Sequence, residues 1–501
     1  MRELLSKKDL RRLELVETIF LNQGITLEDL TEQLLLNKVQ VQTDIGFLGP
    51  IISPFQLEVT KENRCYLEIP ELYSVRYVYQ VLLKESLAFR LLEEIFLDSY
   101  ENYDLLAEKL YISKATLKRT ILTLNAGLKP YEMTISARPV RLEGHEKNIR
   151  AFYYFYFQER YPDHFLPIAR NIQELLDLLL ATFQQTFMKR QSDFAHNNRI
   201  RMQLFVSMMR EKFGYSVTSN YLVDQATETK IKSIITELNL TTKMQEIFQQ
   251  ELTVDLYKRF FYRYLEGMYS FNLFDFTDSK SQQPSTKAIF TNVQKMIQTI
   301  SQLIDIPVQN IEELTLRIYN VIALTNDITI PPYILFQNRK TFLSLSRHLP
   351  VSFVAEAQTI FKEYLPSVEA RNSAYFDEIF YLLTIYWPAF YQYLVTTVEP
   401  CKVGLFLDSD EGHRQYVKER LDFLFGKKIE VTIYQTEVLA SIEDYAQEVD
   451  FFVMNFIFPE NLSLSKDYLC VSDVITNEDM RKLEKKIDTI YYRHLNGKLI
   501  E

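Results

Sequence analysis

Glycine is scarce in this chain: 11 of 501 residues. With Leu, Ile, Glu, Lys and Phe abundant, so little glycine favours a mostly helical protein. Cysteine is scarcer still. Cys65, Cys401 and Cys470 lie far apart, which excludes a disulfide framework and any zinc-ligand spacing and fits a reducing cytoplasm. No apolar run is long enough to span a bilayer. Residues 451–458, FFVMNFIF, are too short for that and read as a buried strand. The opening MRELLSKKDLRRLELVETIF is charged and amphipathic, without the apolar centre of a signal peptide. Also missing are a Walker loop, G-x-G-x-x-G, H-E-x-x-H and G-x-S-x-G. Asp408 and Asp410 form a carboxylate pair that no other candidate catalytic residue supports. No enzyme, metal or cofactor is read here. Basic excess is lacking too, since the net charge is −10. A protein that only coats nucleic acid is usually basic, so any DNA contact must be local.

What is present is most informative at residues 102–125. Leu105, Leu106, Ala107 and Leu110 make the inward face of one short helix, and Ile112 plugs a turn. Ser113 is a good N-cap, and Leu117, Ile121 and Leu124 recur at helical spacing. The second helix carries Lys114, Thr116, Lys118 and Arg119. A short helix, a turn and a basic helix make the plan of a helix-turn-helix, whose second helix enters the major groove. Strand-like runs at 133–136 and 140–142 flank Ala137, Arg138 and Pro139, the tip of a wing. From 111 to 150, Lys114, Lys118, Arg119, Lys129, Arg138, Arg141, Lys147 and Arg150 face only Glu132, Glu143 and Glu146. Cations on helix and wing can grip phosphates on both sides of one groove.

A similar pattern comes first. Residues 10–48 read as three helices, with Thr26 and Asp29 as a shortened capping box and Asn37 capping a third helix with Gln40 three residues on. That helix turns Lys38, Gln40, Gln42 and Thr43 outward, and Gln can read adenine edges. Asp44 on the same helix would repel phosphate. Runs at 55–59 and 66–69 around Lys61, Asn63 and Arg64 make a second wing. The aromatic stretch 151–165 reads as helical core, not as a stacking platform for single strands. Two helical regions follow, joined by a polar linker near 278–287, and from Cys401 strands and helices alternate as in a small α/β domain with a parallel sheet.

In their order, YDLLAEKLYISKATLKRTILTLN and ISARPVRLEGHEKNIRAFYYFYFQERY within 103–160 resemble the Mga/RofA/AtxA-type virulence regulators of Gram-positive bacteria, which contain PRD domains. The resemblance covers essentially the whole chain and is strongest over 1–160. It implies a mainly α, multidomain protein: winged helix-turn-helix units at 1–75 and 76–165, PRD-like helical domains at 166–280 and 281–398, and an α/β domain at 399–501 like the EIIB component of sugar phosphotransferase systems. It implies a cytoplasmic transcriptional regulator of double-stranded DNA, a homodimer through the PRD-like and C-terminal domains, with phosphotransferase-system proteins as candidate partners. No membrane partner is expected.

The family's regulatory residues are replaced here. A PRD places a His seven residues before an Arg, but Gln203 precedes Arg210. His196, two helical turns upstream, is the candidate phosphoacceptor. In the second such domain Arg317 stands near the expected His, and His348 beside Arg347 is the other candidate. The loop where an active EIIB carries its Cys reads Asp408-Ser409-Asp410-Glu411-Gly412-His413, with Cys401 before the strand. Three carboxylates would repel phosphate, so the domain reads as oligomerising. DNA contact is expected from Ser113, Lys114, Thr116, Lys118, Arg119, Arg138 and Arg141, with Lys38, Gln40, Gln42, Thr43, Lys61 and Arg64 from the first unit. An RNA-binding antiterminator, a phosphoryl carrier and a helical scaffold are the alternatives.

Overall fold

The structure, a computed structural model, describes residues 1–161, 165–188, 193–218, 223–266, 269–271, 284–325, 327–340, 351–366, 374–396, 399–459 and 461–497. It is mostly helical. It divides into two compact units, Met1–Phe290 with Leu316–Asn338 and Ser367–Tyr375, and Thr291–Thr315 with Arg339–Pro366 and Phe376–Glu501.

Caps and apolar spacing set the first elements of the larger unit. Helix α1 (Lys7–Leu21) starts on Ser6, which accepts from the Asp9 N–H. It buries Leu13, Val16 and Ile19. After the short strand β1 (Ile25–Thr26), Thr26 caps α2 (Leu27–Leu34), and Asn37 with Gln40 closes a full capping box on α3 (Lys38–Ile51). Strands β2 (Gln56–Val59) and β3 (Arg64–Glu68) form an antiparallel hairpin, with β1 on the far side of β3. Along β3, Cys65 and Leu67 point inward while Arg64, Tyr66 and Glu68 face solvent, the period of two that one buried face requires.

Helix α4 (Arg76–Glu85) leads into a second copy of this plan: α5 (Leu87–Leu97), α6 (Tyr103–Lys109), α7 (Lys114–Leu128), β4 (Met133–Ile135) and β5 (Leu142–Gly144). From α2 to the middle of α3, equivalent positions lie at a constant offset of 76 residues. The caps Thr26 and Asn37 match Asn102 and Ser113. The buried Leu30, Val41 and Leu48 match Leu106, Leu117 and Leu124. The place of β1 is taken by Tyr100, which bridges to Val140. One inward assignment fails: Leu105 is 46% exposed, because only Leu106, Ala107 and Leu110 fall on the seam of so short a helix.

Helix α8 (Glu146–Arg160) holds the aromatic stretch, and Phe152, Tyr153, Tyr156 and Phe157 are fully buried. Burying each phenylalanine contributes about 1.5–3 kcal/mol. The tyrosine hydroxyls keep partners: Tyr153 donates to the Leu92 carbonyl at 2.9 Å and Tyr156 to Glu93. Further helices of the same unit follow, among them α9 (Arg170–Phe187), α10 (Phe194–Lys212), α11 (Gln225–Glu237), α12 (Leu240–Phe248) and α13 (Val254–Phe260). A single apolar cluster runs from Met1 through these elements to Leu335.

Two of the eight basic residues counted between 111 and 150 belong to this interior. Arg150 is fully buried, bonded to Glu146 at 2.9 Å and Glu211 at 2.8 Å. Arg210 reaches Glu146 at 2.6 Å, and Arg259 reaches Glu211 at 3.0 Å. Lys147 pairs with Glu266 at 2.7 Å. Gln203 is also buried. Its amide donates to the Ser207 hydroxyl at 3.2 Å and its carbonyl accepts from Arg263 at 3.1 Å. The expected linker falls largely on 272–283, outside the described residues, while Pro284 already opens the helix Pro284–Ile304.

In the other unit, strands β6 (Cys401–Leu405), β7 (Ile429–Ile433), β8 (Phe451–Met454) and β9 (Tyr468–Cys470) form a parallel sheet in the order β7-β6-β8-β9. Cys401 does not precede the first strand but opens it, buried. Burial, with the Asp450 carboxylate beside it, pushes its thiol up and keeps it inert. Asp410 is occupied as the N-cap of the next helix, Glu411–Phe425, accepting from the His413 N–H at 2.8 Å. No helix among the described residues is long and apolar enough to cross a membrane.

Candidate nucleic-acid interface

The third helix of each N-terminal copy, α3 and α7, presents the polar face on which the expected contacts sit. In α7 the seam is Leu117, Ile121, Leu124 and Leu128, all buried. Lys118 and Arg119 fall on the opposite face. Both are exposed and neither makes an ion pair among the described residues. Ser113 is occupied locally: its oxygen accepts from the Thr116 N–H at 3.1 Å and lies 2.9 Å from the Thr116 hydroxyl. The methyl of Thr116, not its hydroxyl, is what remains for a thymine. Lys114 pairs with Asp104 at 2.7 Å, an exposed pair that holds α6 to α7 and is weak enough to exchange for a phosphate.

Behind α7 the hairpin is fixed by Asn125. Its side chain accepts from the Ile135 N–H at 2.7 Å and donates to the Ile135 carbonyl at 3.3 Å. The hairpin tip carries Arg138, exposed and without an ion pair among the described residues. Arg141 is a different case. It pairs with Glu143, and its guanidinium lies over the Tyr215 ring at 5.5 Å. Its charge is partly engaged by the protein itself.

The first copy has the same frame. Lys38 pairs with Glu28 at 3.0 Å, matching Lys114 and Asp104 at the same spacing. Gln40 spends its carbonyl on the Asn37 N–H at 3.1 Å. Gln42 and Thr43 are exposed, and the Thr43 hydroxyl donates back to the Val39 carbonyl at 2.7 Å. Lys61 is exposed at the hairpin tip. Arg64 is not in that tip but opens β3, and it donates to the Gly24 carbonyl at 2.9 Å.

Asp44 needs the largest revision. It does not face the groove, because it is fully buried. Arg11 reaches it at 2.5 Å and Arg12 at 3.1 Å. Burial alone would raise its carboxyl, but the two guanidinium groups outweigh that and hold it below the usual range. The Arg12 guanidinium also lies 3.2 Å from the centre of the Phe47 ring.

His196 sits in the first turn of α10, half-buried, with its N–H donated to the capping Asp193 at 2.7 Å. Burial and the charges of Arg199 and Arg317, opposed by Asp193, lower its imidazole. His348 lies outside the described residues. Among the described residues no group of His, Cys, Asp and Glu could hold a metal.

The pairing of Glu28 with Lys38 and of Asp104 with Lys114 is not among the residues expected above, although their identical spacing in the two copies is a signal the sequence carries. Asn125 carried none, because its partner is backbone.

The geometry defines a helix-turn-helix followed by a hairpin. Residues 71–157, which enclose α4 to the end of the buried aromatic run of α8, match the Mga helix-turn-helix domain. Along 92% of its length the chain is 23% identical to a protein of Streptococcus pneumoniae serotype 4, provisionally named a trans-acting regulator, covering 94% of that protein. It is 20% identical to the capsule synthesis positive regulator AcpB of Bacillus anthracis over 96% of this chain and 99% of that one. The capsule synthesis positive regulator AcpA of the same organism is 20% identical over 91% and 94%. These matches place a Mga-type helix-turn-helix domain in a chain that is similar along most of its length to proteins named as regulators.

Proposed function

We propose that this protein is a transcriptional regulator that binds duplex DNA through two winged helix-turn-helix units. The observation that carries the reading is the exposed Lys118–Arg119 pair on α7, inside the matched domain and without an ion-pair partner among the described residues. In a chain of net charge −10, two adjacent uncompensated cations on the exposed side of a helix make a local positive patch that attracts an anion such as phosphate. With Arg138 at the hairpin tip they straddle a groove edge, gripping phosphate on both sides. The first unit contributes Gln42 and Thr43, neutral groups suited to base edges and methyls.

The remaining chain is regulatory. The helical regions act as PRD-like domains, and the C-terminal α/β domain, EIIB-like without its Cys, supports a homodimer. Tyr416 and Phe423, exposed on one face of its helix Glu411–Phe425, favour that role. Charges of Arg199 and Arg317 near His196 favour it as the acceptor of a phosphoryl group, which they would hold. Phosphopeptide mapping after incubation with phosphotransferase-system proteins tests this, and an unlabelled His196 removes it.

The DNA reading is tested by competition. Full-length protein bound to labelled duplex DNA should be displaced by unlabelled duplex and not by single-stranded RNA of the same sequence. Preferential displacement by RNA would favour an antiterminator instead.

A further inference from the structure

The turns that lead into α3 and α7 share a feature that neither packing nor capping explains. Leu35 and Tyr111 occupy equivalent places, each two residues before the N-cap of the third helix. Both have left-handed backbones, with φ of 54° and 55°. The turns are fully bonded around them: the N–H groups of Leu36 and Ile112 donate to Thr31 and Ala107, at 2.9 and 3.0 Å. This is the helix-ending position where glycine, or else asparagine, is the unstrained choice. A leucine and a tyrosine stand there instead, and they are 91% and 93% exposed. The apolar contact that closes such turns comes from their neighbours Leu36 and Ile112, both packed on the core. The strained side chains therefore add nothing to the folded chain, yet both copies have one.

We infer that Leu35 and Tyr111 are contacts to the sugar–phosphate backbone of DNA, resting on the reading of α3 and α7 as groove-facing helices. When the N-terminal end of such a helix meets the bases, the turn before it lies against the groove wall. That wall presents deoxyribose C–H surface and phosphate oxygens. Leucine can only pack on the sugar, whereas tyrosine can pack and donate its O–H to a phosphate. Lys38 and Lys114, three residues further along, mark the same edge as cationic. An uncharged clamp of this kind positions the helix without displacing counterions.

The test uses the full-length chain and a duplex enriched by the parent protein from a random-sequence pool. Leu35→Gly and Tyr111→Gly should melt at or above the parent temperature, because glycine relieves the backbone. Each should bind that duplex about three- to tenfold more weakly, the worth of one contact. The slope of affinity against salt should not change. Tyr111→Phe should lose part of the effect. Two glycine variants that bind as the parent does would overturn the inference, as would glycine variants that melt lower in proportion to their loss of binding. A Lys118→Ala/Arg119→Ala variant run alongside separates the two levels. If it too binds as the parent does, the reading of α7 as the groove-facing helix has failed.

Discussion

The two helix-turn-helix copies share a frame and differ in what they attach to it. Caps, buried seam, left-handed turn and the lysine–carboxylate pair recur at a fixed offset. The outer faces do not: Gln42 and Thr43 in the first copy stand where Lys118 and Arg119 stand in the second. The backs differ as well. Arg11, partly exposed, and Arg12, buried, form an ionic knot with the buried Asp44 in the first, and the residues 76 positions further along are Leu87, Ala88 and Thr120. At the tips, Lys61 sits beside Glu62 while Arg138 has Ala137 and Pro139 as neighbours. The frame depends on apolar period and helix caps, which leave the solvent face free to vary. One copy could thus supply attraction and the other discrimination.

The contrast in the backs gives the largest expected effect. Asp44→Asn should destabilise the protein by about 3 kcal/mol, since the buried Arg12 guanidinium, and with it the partly exposed Arg11, loses its closest counter-charge. Thr120→Ala at the matching place should change it little. Both are read by denaturant unfolding. The same carboxyl predicts acid sensitivity. Held below its ordinary value, it contributes stability above about pH 4 that is lost as pH falls through the folded value. The Asn variant should lack that loss. Next come the shared caps: Asn37→Ala and Ser113→Ala should each cost about 1 kcal/mol, and equal costs would sharpen the idea of one frame used twice. The smallest effect is at the tips. Arg138→Ala should weaken duplex binding about threefold and lower the salt slope by about one, with Lys61→Ala doing less because Glu62 already offsets it.

Much of the frame was legible. Ser113, Thr26 and Asn37 with Gln40 announce helix starts by residue type alone, and the observed strands at 56–59 and 133–135 fall inside the expected runs. The parallel α/β sheet followed from alternation. What was not legible depends on tertiary partners. Asp44 looked like a groove-facing charge because Arg11 and Arg12, which neutralise it, lie more than thirty residues away. Arg150 counted as surface charge until Glu146 and Glu211 took it inside. Arg64 looked like a wing cation, but a backbone carbonyl holds it. Charge is visible in a sequence; whether the protein itself consumes it is not.

On the proposed DNA-binding function, charge-driven attraction resides in α7 and base discrimination mainly in α3. The most direct test is the salt dependence of duplex binding, followed by fluorescence anisotropy, for the parent, Lys118→Ala/Arg119→Ala and Gln42→Ala/Thr43→Ala. The first variant should lower the salt slope by about two and weaken all duplexes alike. The second should keep the parent slope and lose preference among sequences by about 1–3 kcal/mol. An unchanged slope for Lys118→Ala/Arg119→Ala would mean that α7 does not supply the attraction.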